Sequence, residues 1–259
     1  MRETLLEKKP VVIAIAIAAV IIGALLFYGI LVTPERQPYR DAQAQFKNVT
    51  RALSSTNVSL NTGTASDEEF NKSVDVLKKA FASLTTEKKA LAEQEVLKTG
   101  EGKTLYDAYN KKLDTYIAYN NDVLVSIQKL RPVLLECSNT MNTVSENAAG
   151  AKVLRSCAEK MGAVADIPDV DYQELAVSFQ SDYNELADIF EQIDALQDPK
   201  GADSAKLAEL TEARTKTTDK FSTTSDTFSS NVQIHRNQIL TTNAEKALHD
   251  YLENKSRIF

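Results

Sequence analysis

Residues Tyr109–Cys137, YNKKLDTYIAYNNDVLVSIQKLRPVLLEC, carry the pattern that decides the fold. Tyr109, Leu113, Tyr116, Asn120, Val123, Ile127, Leu130 and Leu134 follow steps of four and three, and Cys137 comes next in register. A helix returns to one face at those steps, so the row is an apolar seam that needs another helix to cover it. Asn120 is the one polar member; a buried Asn in such a row fixes register at a cost in stability. Pro132 has no amide hydrogen to donate, which predicts a kink or an end just before Cys137.

The chain upstream repeats the pattern. Phe70, Val74, Leu77, Phe81 and Leu84 keep the same steps, Lys88 interrupts them and Leu91 resumes. Ser66-Asp67-Glu68-Glu69 supplies a capping hydroxyl and acids for a first turn. Thr99-Gly100-Glu101-Gly102 predicts a tight glycine turn, because glycine adopts positive φ without penalty. The two seams then form an antiparallel hairpin of helices, each about 34 residues and about 50 Å long. Before it, Phe46, Val49 and Leu53 place a shorter helix from Tyr39, entered through a stiff joint at Thr33-Pro34 and Gln37-Pro38.

Val11–Val32, VVIAIAIAAVIIGALLFYGILV, is 22 residues without a charge. About 20 helical residues cross a hydrocarbon core, so this segment reads as a transmembrane anchor, longer than the core of a cleavable signal peptide. The expected organisation is a cytoplasmic tail over 1–10, an anchor over 11–32 and an extracytoplasmic helical domain over 33–259. Lys8 and Lys9 set that orientation. Ala16, Ala19 and Gly23 put small residues on one face, as helices packing in lipid do.

Downstream, Cys137 and Cys157 are the only cysteines and are expected to pair in an oxidising compartment. Their Cα atoms must then lie within about 7 Å, so Ser138–Ala151 should be a compact excursion followed by a short helix over Lys152–Met161. The next helix, from about Asp169 to Leu196, buries Tyr172, Leu175, Phe179, Tyr183, Leu186, Phe190 and Ile193. Asp198-Pro199-Lys200-Gly201 stops it. The last helix starts near Asp203 or Ser204 and is expected to run unbroken to Lys255. Its seam of Leu207, Leu210, Arg214, Thr217, Phe221, Thr224, Phe228, Asn231 and His235 is half polar. Burying those groups without partners costs about 1–3 kcal/mol each, so this helix belongs on the outside, loosely packed.

Composition excludes several functions. A net charge of −6 lacks the basic footprint of nucleic-acid binding. Two His and two Cys leave almost nothing for a metal centre, and neither His235 nor His249 has metal-ligand spacing. No G-x-S-x-G frames a serine, and no glycine-rich loop awaits a phosphate. No catalytic, cofactor-binding or metal residues are therefore assigned, and the chain reads as non-enzymatic. Tyr106, Tyr109, Tyr116 and Tyr119 share one helix; the heptad register makes them core packing, and the sharper reading is an aromatic patch for a partner or ligand. Asp182, Glu185, Asp188, Glu191 and Asp194 read as a solvated acidic stripe.

An anchor followed by a helical ectodomain resembles bacterial cell-envelope proteins and, in architecture alone, the four-helix sensor domains of chemoreceptors. The second membrane helix and signalling part of those receptors are not in this sequence, which implies no signalling on its own. The functional expectation is a membrane-anchored interaction or scaffold protein of the cell envelope. It would touch the bilayer through 11–32 and a protein partner or second copy through helix faces. The alternative is a ligand-binding or sensory ectodomain working with a separate signalling partner. A ligand-binding bundle should show a concave polar pocket between helices; a scaffold should show an exposed apolar stripe instead.

Overall fold

The computed structural model describes residues 34–57, 66–141, 143–196, 204–240 and 243–257. Regular structure among them is entirely helical: α1 over 34–55, α2 Asp67–Ala92, a 3-10 turn Glu95–Leu97, α3 Gly100–Met141, α4 Ala148–Ala163, α5 Val170–Leu196, α6 Ser204–Leu240 and α7 Asn243–Ser256. The all-α bundle expected from the seams is the fold.

The seams are where the core lies. Phe70, Val74, Leu77, Phe81, Leu84 and Leu91 of α2 are all buried, as are Tyr109, Leu113, Tyr116, Ile127, Leu130 and Cys137 of α3. α2 opens on a reciprocal cap: the Ser66 hydroxyl accepts from the Glu69 amide at 3.2 Å, and the Glu69 carboxylate accepts from the Ser66 amide at 3.0 Å. Asn120 spends its amide within α3, donating to the Tyr116 carbonyl at 2.8 Å. It satisfies itself locally and makes no hydrogen bond to a partner helix from that nitrogen.

Pro132 does not end α3, which continues to Met141. Burial on both sides outweighs the missing hydrogen bond. Leu130 and Cys137 are fully covered, and the buried Arg131 stacks 4.4 Å over the Phe70 ring while pairing with Asp67 at 2.5 Å. The glycines do not close α2, which stops earlier, at Ala92; the 3-10 turn follows, and Gly100, at φ 56°, lets the chain turn into α3, so the two helices are 26 and 42 residues long rather than equal. Gly102 has a different reason, since a Cβ there would run into the Val96 carbonyl and the Tyr251 ring.

The chain divides into two compact units. The first comprises the described residues up to Asn57, Ala80–Asn110, and those from Asn243 on. In it Phe46 packs against Tyr109 with ring centroids 5.3 Å apart and against His249 at 5.9 Å, while Tyr39 meets Tyr251 edge-on at 6.0 Å. α1 and α7 are antiparallel there. Leu84, Leu91, Leu97, Leu248 and Leu252 fill its interior.

The second unit comprises the described residues of 58–79 and of 111–242. Its α3, α4, α5 and α6 follow one another up and down. Cys137 and Cys157 are joined with Cα atoms 5.7 Å apart. α3 runs four residues past Cys137, turns, and returns as α4, whose first amides are capped by Asn147 accepting from Gly150 at 3.0 Å. The expected excursion is thus a sharp helical corner, and α4 begins earlier than Lys152 because Asn147 is a better cap than anything that follows.

Three further expectations are corrected. α1 is already helical at Pro34 and continues through Pro38, ahead of the start expected at Tyr39. The last helix is not continuous: α6 ends at Leu240 and α7 begins at Asn243. The membrane topology is not supported. No helix among the described residues is long and apolar enough to cross a membrane. Even α5, with its long apolar face, carries acids at Asp171, Glu174, Asp182, Glu185, Asp188 and Glu191. The expected span over Val11–Val32, with Ala16, Ala19 and Gly23, lies outside the described residues. The bilayer contact, the single-pass placement with an extracytoplasmic domain and the membrane-anchored envelope function are therefore without support among the described residues.

Candidate functional site

α5 is the axis of the second unit, covered on one side by α4 and on another by α6. Its apolar row is buried throughout: Tyr172, Leu175, Phe179, Tyr183, Leu186, Phe190 and Ile193. The acids between those positions are not simply solvated, as the sequence suggested. Arg155 of α4 reaches Asp188 at 2.6 Å and both oxygens of Glu191, at 3.1 and 2.9 Å. On the other flank Glu185 accepts from Lys220 at 2.5 Å and from the Thr217 hydroxyl at 3.1 Å, both on α6. The stripe splits into two clamps, one for each neighbouring helix.

α6 is held by a few contacts along a polar helix. Phe221 sits 5.3 Å from Phe179 and 4.8 Å from Tyr183, and Phe228 meets Tyr172 at 4.7 Å. Towards its C-terminal end His235 Nδ1 lies 2.7 Å from the buried Asp171. These pairings run α6 antiparallel to α5, with the seam residues Thr217, Phe221, Phe228 and His235 turned towards it. Leu210 and Thr217 are its only buried residues among those whose side chains are described.

Beside the Glu185 clamp, α5 and α6 leave an open groove of about 470 Å³ between them. From α5 it is lined by Val177, Ser178, Ser181 and Asp182, and from α6 by Lys216, Asp219, Lys220, Thr223 and Thr224. Asp182 is 8 % exposed, and its Oδ2 has no hydrogen-bond partner. Burial raises its pKa, the Glu185 charge adds to that, and Lys220 and the Thr224 hydroxyl oppose it. A buried acceptor without a donor is costly and calls for an explanation.

The raised pKa gives a sign. An acid whose folded-state pKa lies above its unfolded value favours the folded state in acid, and that stability is lost as pH rises through the raised value. Replacing Asp182 by Asn removes this loss. Asp182→Asn is expected to be about 1 kcal/mol more stable than the wild type at neutral pH, with the advantage vanishing as pH falls towards the ordinary carboxylate range. Urea unfolding of both proteins across that range checks it; an Asn variant less stable at neutral pH would show that the carboxylate has a partner.

The other candidate residues distribute as follows. Tyr106 and Tyr109 fall in the first unit and Tyr116 and Tyr119 in the second. Tyr109 and Tyr116 are each 2 % exposed, so those rings pack in cores. Tyr119 is half-buried, its hydroxyl donating to the Val232 carbonyl at 3.4 Å, and burial beside Asp169 and Asp171 pushes its pKa up to about 12. On α7, His249, Asp250 and Glu253 could offer a metal three ligand atoms. Lys246 already pairs with Asp250 at 3.3 Å and Arg257 with Glu253, so those acids have counter-ions. A second, smaller hollow of about 390 Å³ flanks Pro132 and is lined by Asp67, Phe70, Gln128 and Arg131. Its charges pair with each other.

Sequence reasoning missed Asp182 as distinct from its acidic neighbours. The available signal was its position one residue before the seam residue Tyr183, which turns it towards the α6 side while Asp188 and Glu191 face α4. No family model, curated protein or solved structure matches the chain.

Proposed function

We propose that this protein is a non-catalytic helical binder that takes a small polar molecule in the α5 and α6 groove. The observation that carries the reading is Asp182 Oδ2, an acceptor buried without a donor at a concave, hydroxyl-lined surface between helices. Binding sites gather a few convergent polar groups in such hollows. The scaffold alternative calls for a contiguous apolar stripe. The exposed large apolar residues Val76, Val125, Val153, Val170, Val177 and Ile234 are instead spread over five helices.

A binding role rather than a catalytic one is supported by the state of the lysines. Lys216 pairs with Glu212 at 2.6 Å and Lys220 with Glu185, which holds the Lys220 ammonium charged. The groove hydroxyls thus have neither a neutral lysine nor a histidine among the lining residues to activate them.

A thermal-shift survey of the full chain with amines, polyols, sugars and amino acids tests this. At least one class should raise the melting temperature. Ser181→Trp, which fills the groove from an exposed position, should abolish that rise. A survey in which nothing stabilises the chain, or a rise that survives Ser181→Trp, sinks the reading.

A further inference from the structure

Building on that groove, we infer that its ligand is a short aliphatic diamine, one primary ammonium seated on Asp182 and the second towards Asp219. The charges in and around the groove decide the sign. Lys216 and Lys220 are matched by Glu212 and Glu185. Asp219 has no ion pair among the described residues, and Lys220, the described cation that acts on Asp182, is already bonded to Glu185. Two carboxylates are left over, so the groove selects a cation, and one carrying two charges meets both.

The chemistry of the lining selects the kind of cation. Asp182 Oδ2 needs a donor, and Ser178, Ser181, Thr223 and Thr224 bring hydroxyl oxygens to the lining of the same groove. A primary ammonium brings three donors and no acceptor, which suits one carboxylate and neighbouring hydroxyls. No aromatic ring lines the groove. A quaternary ammonium, which is held by aromatic cages, and a sugar, which stacks on an aromatic face, both lack their platform. A divalent ion is also disfavoured. Asp182 and Asp219 do not belong to any group of three acid or histidine ligands close enough to share a metal among the described residues. Val177, 51 % exposed at the rim, is there for a methylene chain to lie against.

Calorimetric titration of the full chain with 1,4-diaminobutane, n-butylamine and 1,4-butanediol tests the assignment. The diamine should bind, the monoamine should bind about fivefold more weakly, and the diol should not bind; raising salt should weaken the diamine more than the monoamine. Asp182→Asn should weaken the diamine about tenfold, the loss expected for one charge-assisted hydrogen bond. Asp219→Asn, on an exposed position that cannot unfold the chain, should bring the diamine down to the affinity of the monoamine. Equal diamine binding by wild type and Asp182→Asn overturns the assignment. Diol binding as tight as that of the diamine also overturns the ammonium ligand but leaves the groove as a polar site. Absence of binding by all three overturns the diamine, and the thermal-shift survey then decides whether the groove binds anything.

Discussion

Replacing Cys137 and Cys157 together by alanine is expected to lower the unfolding free energy by about 3 kcal/mol, as reduction of the wild type should. The bond closes a loop across a separation of 20 residues. Removing such a cross-link returns to the unfolded chain a loop entropy worth about 3 kcal/mol at room temperature. Alanine is the right replacement because Cys137 is fully buried and Cys157 is 3 % exposed, so serine would add two hydroxyls without assured partners. The native corner should survive the change. α3 and α4 are still held there by the Lys160 to Glu136 pair at 2.5 Å, and α4 by Arg155 on α5. Urea melts read by helical circular dichroism should therefore show unchanged native signal, a lower midpoint and a slightly larger dependence on denaturant, since the open chain exposes more surface. A fall below about 1 kcal/mol would mean that the unfolded chain keeps this corner closed without the bond.

Much of this architecture was legible because burial follows period. The rows led by Phe70 and Tyr172 were read from spacing alone and are buried throughout, and so is the row led by Tyr109 except at Val123 and Leu134, which are half-buried while Leu124 is buried instead. α6 was legible in a subtler way: its half-polar seam faces α5 yet buries only Leu210 and Thr217, as hydroxyls and amides without partners would require. What spacing could not give was tertiary compensation. Pro132 read as a kink or an end, but α3 runs on past it to Met141, where the stacking of Arg131 on Phe70, a contact spanning more than sixty residues, packs this part of the helix. The acidic stripe looked uniform because local sequence does not record which neighbour each acid will face. Arg155 and Lys220 lie on different helices, and only the fold assigns Glu191 to one and Glu185 to the other. Asp182 escaped for the same reason: being unpartnered is a property of surroundings that the row of five acids does not contain.

Leu186→Ala is expected to cost about 3 kcal/mol, and Phe221→Ala about 1 kcal/mol, with the two losses appearing in different parts of the molecule. Leu186 is 1 % exposed on the central helix, where neighbours on both sides keep the cavity from collapsing. Phe221 is half-exposed and packs on Phe179 and Tyr183 from one side, so its removal leaves surface rather than a hole. Native-state hydrogen exchange separates them. Amides that open only with the whole unit report its global stability, whereas a helix with few buried contacts opens on its own at lower free energy. In the wild type α6 should exchange ahead of α4 and α5. Leu186→Ala should then lower protection across α4 and α5 by its full cost, while Phe221→Ala should lower protection in α6 alone. Were Phe221→Ala to lower α5 equally, α6 would be part of the same cooperative body and its polar seam would be a structural interface. If it does not, α6 is the movable wall of the groove. A ligand bound between Asp182 and α6 would then show itself as restored protection in α6, by an amount equal to its own binding free energy at the concentration used.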